Sequence, residues 1–401
     1  MRFMRGPMGF IAATMFLNFM GLTIIIPVIP YIVAHLTTHV ALYVGLITSF
    51  GALFQFLAGP ALGYVSDIVG RRPVVLWSLF GGVVGFIVFG IGGALWVLFL
   101  GRIIDGLSSG DTPAMYAYVA DVYKPHERGK YYGILGAAAG LGFMAGPAIG
   151  GLAAQISLSA PFFVAAAISM VNVCWGYFAM PESLAEAHRT PHFHLHLLNP
   201  FAQFKAVLTS FTMRVLFILS FLFFIALVMQ QSNISVFLKD ILHWGPTNIG
   251  IMLSVVGLID FFSQGYLVGR LIKRFGEIPI TRVGILLTAI GMIGVGLVPA
   301  TGSLVILYVA IIIYTIGDGL FEPAMSGLIA NATAPALQGR TQGASQSIQS
   351  VSRFLAPLAA GFLYEMGAPL PYFASAAILL VAFALFIAIA GSLKFETAHT
   401  S

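Results

Sequence analysis

The sequence predicts an all-α membrane protein of twelve transmembrane helices, arranged as two pseudo-symmetric six-helix bundles. Three observations carry this expectation. Apolar runs of about 20 residues, long enough to cross a bilayer as a helix, recur along the chain, charged residues are scarce, and blocks of the first half return in the second.

Only 8% of the 401 residues are charged and 59% are hydrophobic, whereas a soluble domain carries about 25% charge because its surface must face water. A mean hydropathy of +0.97 therefore assigns most of the surface to lipid. The single Cys174 excludes an intrachain disulfide framework and a cysteine metal site. Of the nine histidines, His192, His194 and His196 alternate in the central loop, where a solvated loop is preferred to weak metal chelation. No metal and no cofactor are expected. The net charge of +5 is spread singly between apolar runs, which fits membrane orientation better than nucleic acid.

The spans are placed near 7–33, 42–66, 73–92, 95–121, 130–155, 161–180, 213–238, 247–271, 279–299, 303–330, 341–364 and 371–392. The first follows Arg2 and Arg5 without a small-residue cleavage site, so it reads as a span and not as a leader. Between spans six and seven, 181–212 is polar and carries Pro181, Pro191 and Pro200. It divides the chain into an N-terminal bundle at 1–182, a cytoplasmic linker at 183–212 and a C-terminal bundle at 213–401. With the N-terminus inside, 16 of the 19 lysines and arginines fall in the cytoplasm. Arg102 and Arg353 lie within spans, and Lys239 alone falls outside. That asymmetry sets both termini in the cytoplasm.

The halves repeat. Gly146-Pro147-Ala148-Ile149-Gly150-Gly151-Leu152 is echoed by Ala356-Pro357-Leu358-Ala359-Ala360-Gly361-Phe362, and Pro161-Phe162-Phe163 by Pro371-Tyr372-Phe373 at the same offset. Gly63 and Gly70 correspond to Gly269 and Gly276, each pair flanking a short cytoplasmic turn. Duplicated bundles around a midplane site are how many transporters alternate access.

Three motifs carry a resemblance. The turn after span two reads Gly63-Tyr64-Val65-Ser66-Asp67-Ile68-Val69-Gly70-Arg71-Arg72-Pro73, in which glycines permit close approach and a tight turn while the charges pair. Span four holds Arg102-Ile103-Ile104-Asp105-Gly106. Span five holds Gly142-Phe143-Met144-Ala145-Gly146-Pro147-Ala148-Ile149-Gly150-Gly151, whose small residues allow tight helix packing and whose proline bends it. Together they resemble the major facilitator superfamily, specifically its twelve-span drug:proton antiporters, including bacterial tetracycline and multidrug efflux proteins. The resemblance is detailed from about 13 to 180 and looser to 392. It implies the major facilitator fold, a monomer, and a bacterial inner or plasma membrane. It also implies that Asp67, Arg72 and Asp121, with Gly63, Gly70 and Arg71, latch the halves in the outward-facing state, and that Gly142, Gly146, Pro147, Gly150 and Gly151 form the antiporter-like motif. Such relatives often carry an acid before the Met-Gly pair of span one; here Asn18 precedes Phe19-Met20-Gly21, so that part of the family mechanism does not transfer.

Five acids lie inside spans: Asp105, Asp111, Asp260, Asp318 and Glu322. A charge at the bilayer centre costs about 2.5–3.5 kcal/mol, so each needs a partner, water or a proton. Asp318 and Glu322, four apart, share one face of span ten. The resemblance turns that face to the cavity, so the pair is expected to couple protons. Asp111 and Arg102 are the further candidates, although Arg102 and Asp105, three apart, can simply neutralise each other. Asp260 is expected to pair with Arg353. Gln230, Gln231 and Asn233 in span seven, Asn18 in span one, and Phe321 beside Glu322 are the candidate substrate-binding residues, Glu322 being shared with them.

These features favour a secondary active transporter exchanging protons for hydrophobic or cationic drug-like compounds. A facilitator or symporter of a metabolite, sugar or lipid stays open as the alternative. A receptor or membrane enzyme is the third reading, and no Ser/His/Asp, Cys/His, phosphate-loop or metal constellation stands out to support catalysis.

Overall fold

In a computed structural model, residues 7–184, 210–333 and 337–390 are described. Most of the expected linker, with Arg189 and the three alternating histidines, lies outside the described residues, as do Arg2, Arg5, Lys205 and Lys394.

Every long described segment is helical, because a backbone in hydrocarbon must satisfy its own amides and carbonyls. Span one is α1 (Pro7–Ile24) continued after a turn by α2 (Ile29–Ala34), the interruption falling at Pro27 and Pro30. Spans two and three are α3 (Val40–Val69) and α4 (Arg71–Ile91). Span four is divided into α5 (Leu95–Ser108) and α6 (Asp111–Val122). Spans five and six are α7 (Pro125–Ala153) and α8 (Ala160–Ala179), each with proline in its first turn, where the missing amide is harmless.

Span seven is α9 (Phe211–Leu242). Span eight comprises α10 (Pro246–Phe262), a π turn at Ser263–Leu267 and α11 (Val268–Phe275). Spans nine to twelve are α12 (Glu277–Thr301), α13 (Leu304–Asn331), α14 (Gln338–Met366) and α15 (Leu370–Ala390). Among the described residues, ten of the twelve expected spans form helices long and apolar enough to cross a bilayer. The exceptions are span four, which is broken and charged, and α14, which is rich in Gln and Ser. Side chains such as Trp77, Trp96 and Phe178 stand well exposed on the helix surfaces. In water they would be a liability, whereas in lipid they are solvated.

The chain forms two compact units: Met1–Pro200 with Ser235–Gly257, and Phe201–Ile234 with Leu258–Ser401. The division differs from a cut at the linker, because the adjoining ends of spans seven and eight join the first unit. In that unit α1 packs along α7, and α4 packs against α5 and α8, around a core that includes Phe10, Met15, Val75, Met115 and Tyr118. In the second unit α12 packs against α13 and α15. Its repeated turn obeys the same rule as that of the first unit: Gly70 and Gly276 have φ of +109° and +80° with extended ψ, and each starts the next helix. Only glycine enters that region freely.

Candidate functional site

Span ten supplies the centre of the second unit. Asp318 and Glu322 sit one turn apart on α13, and Asp318 and Glu322 both feel the charge of Asp260 from α10. One carboxylate oxygen of Asp318, Oδ1, is shielded from solvent and has no hydrogen-bond partner among the described residues. Asp260 accepts from Gln264 Nε2 at 3.0 and 2.9 Å. The π turn begins one residue before Gln264, at Ser263, which hydrogen-bonds the Ile316 carbonyl of α13. Close approach is possible because Gly319 has no side chain: a Cβ there would stand 2.5 Å from Ser263 Oγ and 3.2 Å from Asp260 Oδ1.

The expected Asp260–Arg353 pair is not what forms. Asp260 takes its hydrogen bonds from Gln264, and the electrostatic partner of Arg353 is Glu322. The reason is helical phase: Gln264, four residues on from Asp260, is nearest on the same face. Three carboxylates and one guanidinium leave an excess of negative charge that protons, water or a cationic ligand must offset.

The polar residues of span seven separate. Asn233 is fully buried and donates from Nδ2 to the Ala360 carbonyl at 2.7 Å, tying α9 to α14. Gln230 is fully buried beside Tyr314, and Gln231 is exposed. Phe321 is fully buried and stacks on Phe223, centroids 3.6 Å apart and planes 11° apart. Asn233 and Phe321 therefore make packing contacts within the second unit. A residue beside a carboxylate on a helix points 100° away from it, so adjacency in sequence was a poor guide to facing.

In the first unit Arg102 Nη1 meets Asp105 Oδ2 at 3.3 Å, the neutralising pair expected from their spacing. Arg102 Nε is buried without a hydrogen-bond partner among the described residues. Asp111 opens α6 and is not part of that ion pair; its carboxylate meets the amides of Asp111 and Thr112. Asn18 donates from Nδ2 to Thr112 Oγ1 at 3.1 Å, bringing span one to the same region.

At the turn after span two, Arg71 rather than Arg72 gathers the acids. It reaches Asp67 Oδ1 at 2.5 Å, Asp121 Oδ2 at 3.0 Å and Ser66 Oγ at 2.7 Å. Arg72 instead donates to the Tyr177 carbonyl at 2.5 Å. Glu182, absent from the sequence-based candidates, caps α4: its carboxylate accepts from the amides of Arg71 at 2.8 Å and Arg72 at 3.1 Å. The available signal was an acid just past Pro181, at the end of a span facing a positively charged turn.

The glycine motif of span five is a two-sided packing surface. A Cβ on Gly146 would stand 2.6 Å from the Met20 carbonyl oxygen, and one on Gly150 would stand 3.2 Å from Ile24 Cα. Gly142 likewise abuts Phe16, so residues four apart seat α7 against the backbone of α1. Gly151 faces the other way, toward Pro246 and Gly250, where a Cβ would stand 2.6 Å from the Pro246 carbonyl oxygen. Gly63 is less constrained, its nearest neighbour being Pro113 at 3.8 Å from an added Cβ.

Comparison with known proteins adds the family context. Residues 11–357 match the family described as the Major Facilitator Superfamily. The chain is 31% identical over 363 residues to the class C tetracycline resistance protein of Escherichia coli, covering 89% of each. It is 27% identical over 378 residues to multidrug resistance protein 2 of Bacillus subtilis (strain 168), covering 93% of this chain and 92% of that protein. Among solved structures, the human organic anion transporter MFSD10 (TETRAN) superposes with a TM-score of 0.72 at 23% identity, covering 95% and 98% of the two chains. An inward-facing bacterial homologue of the human lysosomal transporter Spinster gives a TM-score of 0.78 at 16% identity, covering 96% of each. Those structural likenesses speak to the fold.

Proposed function

Since this chain belongs to the Major Facilitator Superfamily, we propose that it exports hydrophobic or cationic drug-like compounds across a cell membrane in exchange for protons, by alternating access. The observation that carries the reading is the Asp318 carboxylate, with one shielded oxygen lacking a hydrogen-bond partner among the described residues, beside Asp260 and Glu322. A proton and a cationic compound can each offset the excess charge there, and competition between them couples the two fluxes. Relatives named for tetracycline and multidrug resistance support that substrate class.

The same proposal places both termini in the cytoplasm, divides the chain at 183–212 and takes the working unit as a monomer. In it, the cluster of Asp67, Arg71, Arg72 and Asp121 at the cytoplasmic turn, with Gly63 and Gly70, stabilises one access state. The glycine surface of span five keeps α1 and α7 moving as one body.

The test is internal pH in proteoliposomes bearing the purified protein, under an imposed proton gradient, with lipophilic cations, tetracycline-like compounds and neutral drugs. Compound-dependent proton movement is expected, and it is lost in Asp318→Asn with Glu322→Gln. Unaltered coupled export in that double variant overturns the coupling site. Flux without proton movement favours the facilitator or symporter reading.

A further inference from the structure

We propose that the first unit holds a second, separate site: a buried pocket for one monovalent alkali cation at the break in span four, with Asp111 as its anionic ligand. The argument begins with the break. Span four stops at Ser108 and restarts at Asp111, with Ser109 and Gly110 between. Interrupted transmembrane helices are tolerated where they line a protein-enclosed cavity, and such breaks recur at ion sites.

A cavity lies at this break. Among its lining residues are Asn18 from α1, Ser78 from α4, Asp105 and Ser108 from α5, Asp111 from α6 and Ser169 from α8. It is therefore enclosed by four spans of one unit, and it is distinct from the Asp260, Asp318 and Glu322 cluster of the other.

The chemistry of the lining selects the ligand. It offers carboxylate, amide and hydroxyl oxygens, with no histidine or cysteine. Hard oxygen donors suit hard cations and not the softer transition metals. The charge count selects a single positive charge. Asp105 is paired with Arg102 at 3.3 Å, which leaves Asp111 as the one uncompensated carboxylate on the cavity wall. Asp111 is 4% exposed, meets amides of its own first turn and feels the charge of Asp105.

Two further donors point the same way. Ser78 is 6% exposed and lines the cavity, so its hydroxyl oxygen is available there. Asn18 uses its Nδ2 on Thr112, which leaves its Oδ1 as an acceptor at the wall. A buried carboxylate that no cation faces is costly unless it takes up a proton or binds a cation.

The experiment is thermal unfolding of the full chain in detergent, titrating Na⁺, K⁺ or Li⁺ chloride against choline chloride at constant ionic strength, repeated at several fixed pH values. A ligand that binds only the folded state raises the melting temperature in a saturable way. The expected result is a saturable rise with at least one alkali cation and none with choline. That rise is abolished in Asp111→Asn. In Ser78→Ala, which removes one oxygen and keeps the fold, half-saturation shifts to severalfold higher concentration.

The rise is retained in Asp318→Asn, so failure here and failure of the exporter reading are separable. Stabilisation that follows pH alone, with no preference among cations, overturns the proposal in favour of a proton on Asp111. No alkali-specific rise, or one that persists unchanged in both Asp111→Asn and Ser78→Ala, also overturns it.

Discussion

Replacing Gly70 by alanine tests how the turn after span two is built. Two separate terms follow from the structure. The first is conformational: φ of +109° with ψ of 161° lies in a region that side chains rarely occupy, and forcing one there costs about 1–3 kcal/mol. The second is the cap. A Cβ at Gly70 would overlap the Glu182 carboxylate. That carboxylate ends a flexible, exposed side chain, so the clash is relieved by swinging it away from the amides of Arg71 and Arg72. Loss of a helix cap costs about 0.5–2 kcal/mol.

Gly276 is the internal control, because its φ of +80° and ψ of 169° impose the same conformational term, while an added Cβ meets nothing within 4 Å. Gly276→Ala is thus expected to show the strain alone, and Gly70→Ala the strain plus the cap. The assay is reversible denaturation in detergent, run on both single variants and on Glu182→Ala alone and combined with Gly70→Ala. In the Glu182→Ala background the cost of Gly70→Ala should fall to that of Gly276→Ala. Equal costs for the two glycine variants in the native background, or no change on removing Glu182, would refute the reasoning.

Other outcomes are equally specific. Gly146→Val is expected to destabilise by about 1–3 kcal/mol or more, as overpacking does, and to reduce export, because it pushes α7 off the backbone of α1. Gly133→Ala on the same helix meets nothing within 4 Å and should leave melting and export near native values. Asn233→Ala removes a buried 2.7 Å hydrogen bond to the Ala360 carbonyl. It should lower stability by about 1–3 kcal/mol while the relative rates for different compounds stay the same, whereas a changed substrate spectrum would place Asn233 in the ligand wall. Gly319→Val should impair proton-coupled flux without removing any acid, since its side chain would separate Ser263 and Asp260 from α13; normal coupling in a folded Gly319→Val protein would argue against the α10–α13 contact as the site's frame.

The sequence by itself determined the helices and their order, because lipid leaves a backbone few alternatives. The expected bounds of span nine, 279–299, and the observed Glu277–Thr301 differ by two residues at each end. It also marked the duplicated turns, since a glycine that must take positive φ is visible as Gly70 and again as Gly276. The Arg102–Asp105 pair was legible for a similar reason: three residues apart on one helix is a local relation.

What only the tertiary structure decided are relations across helices. Composition shows that span seven carries three amides, but not that Asn233 is used on the Ala360 carbonyl, more than a hundred residues away. It places Phe321 beside Glu322, yet the ring turns to Phe223. Asp260 finds Gln264 instead of Arg353, and Glu182 crosses from the end of span six to start span three. The cavity at the break in span four needs four spans to exist at all. In a chain so uniformly apolar, hydrophobic patterning scarcely distinguishes a lipid-facing side from a packed one. The facing of each polar residue is then set by which neighbouring helix offers it a hydrogen bond.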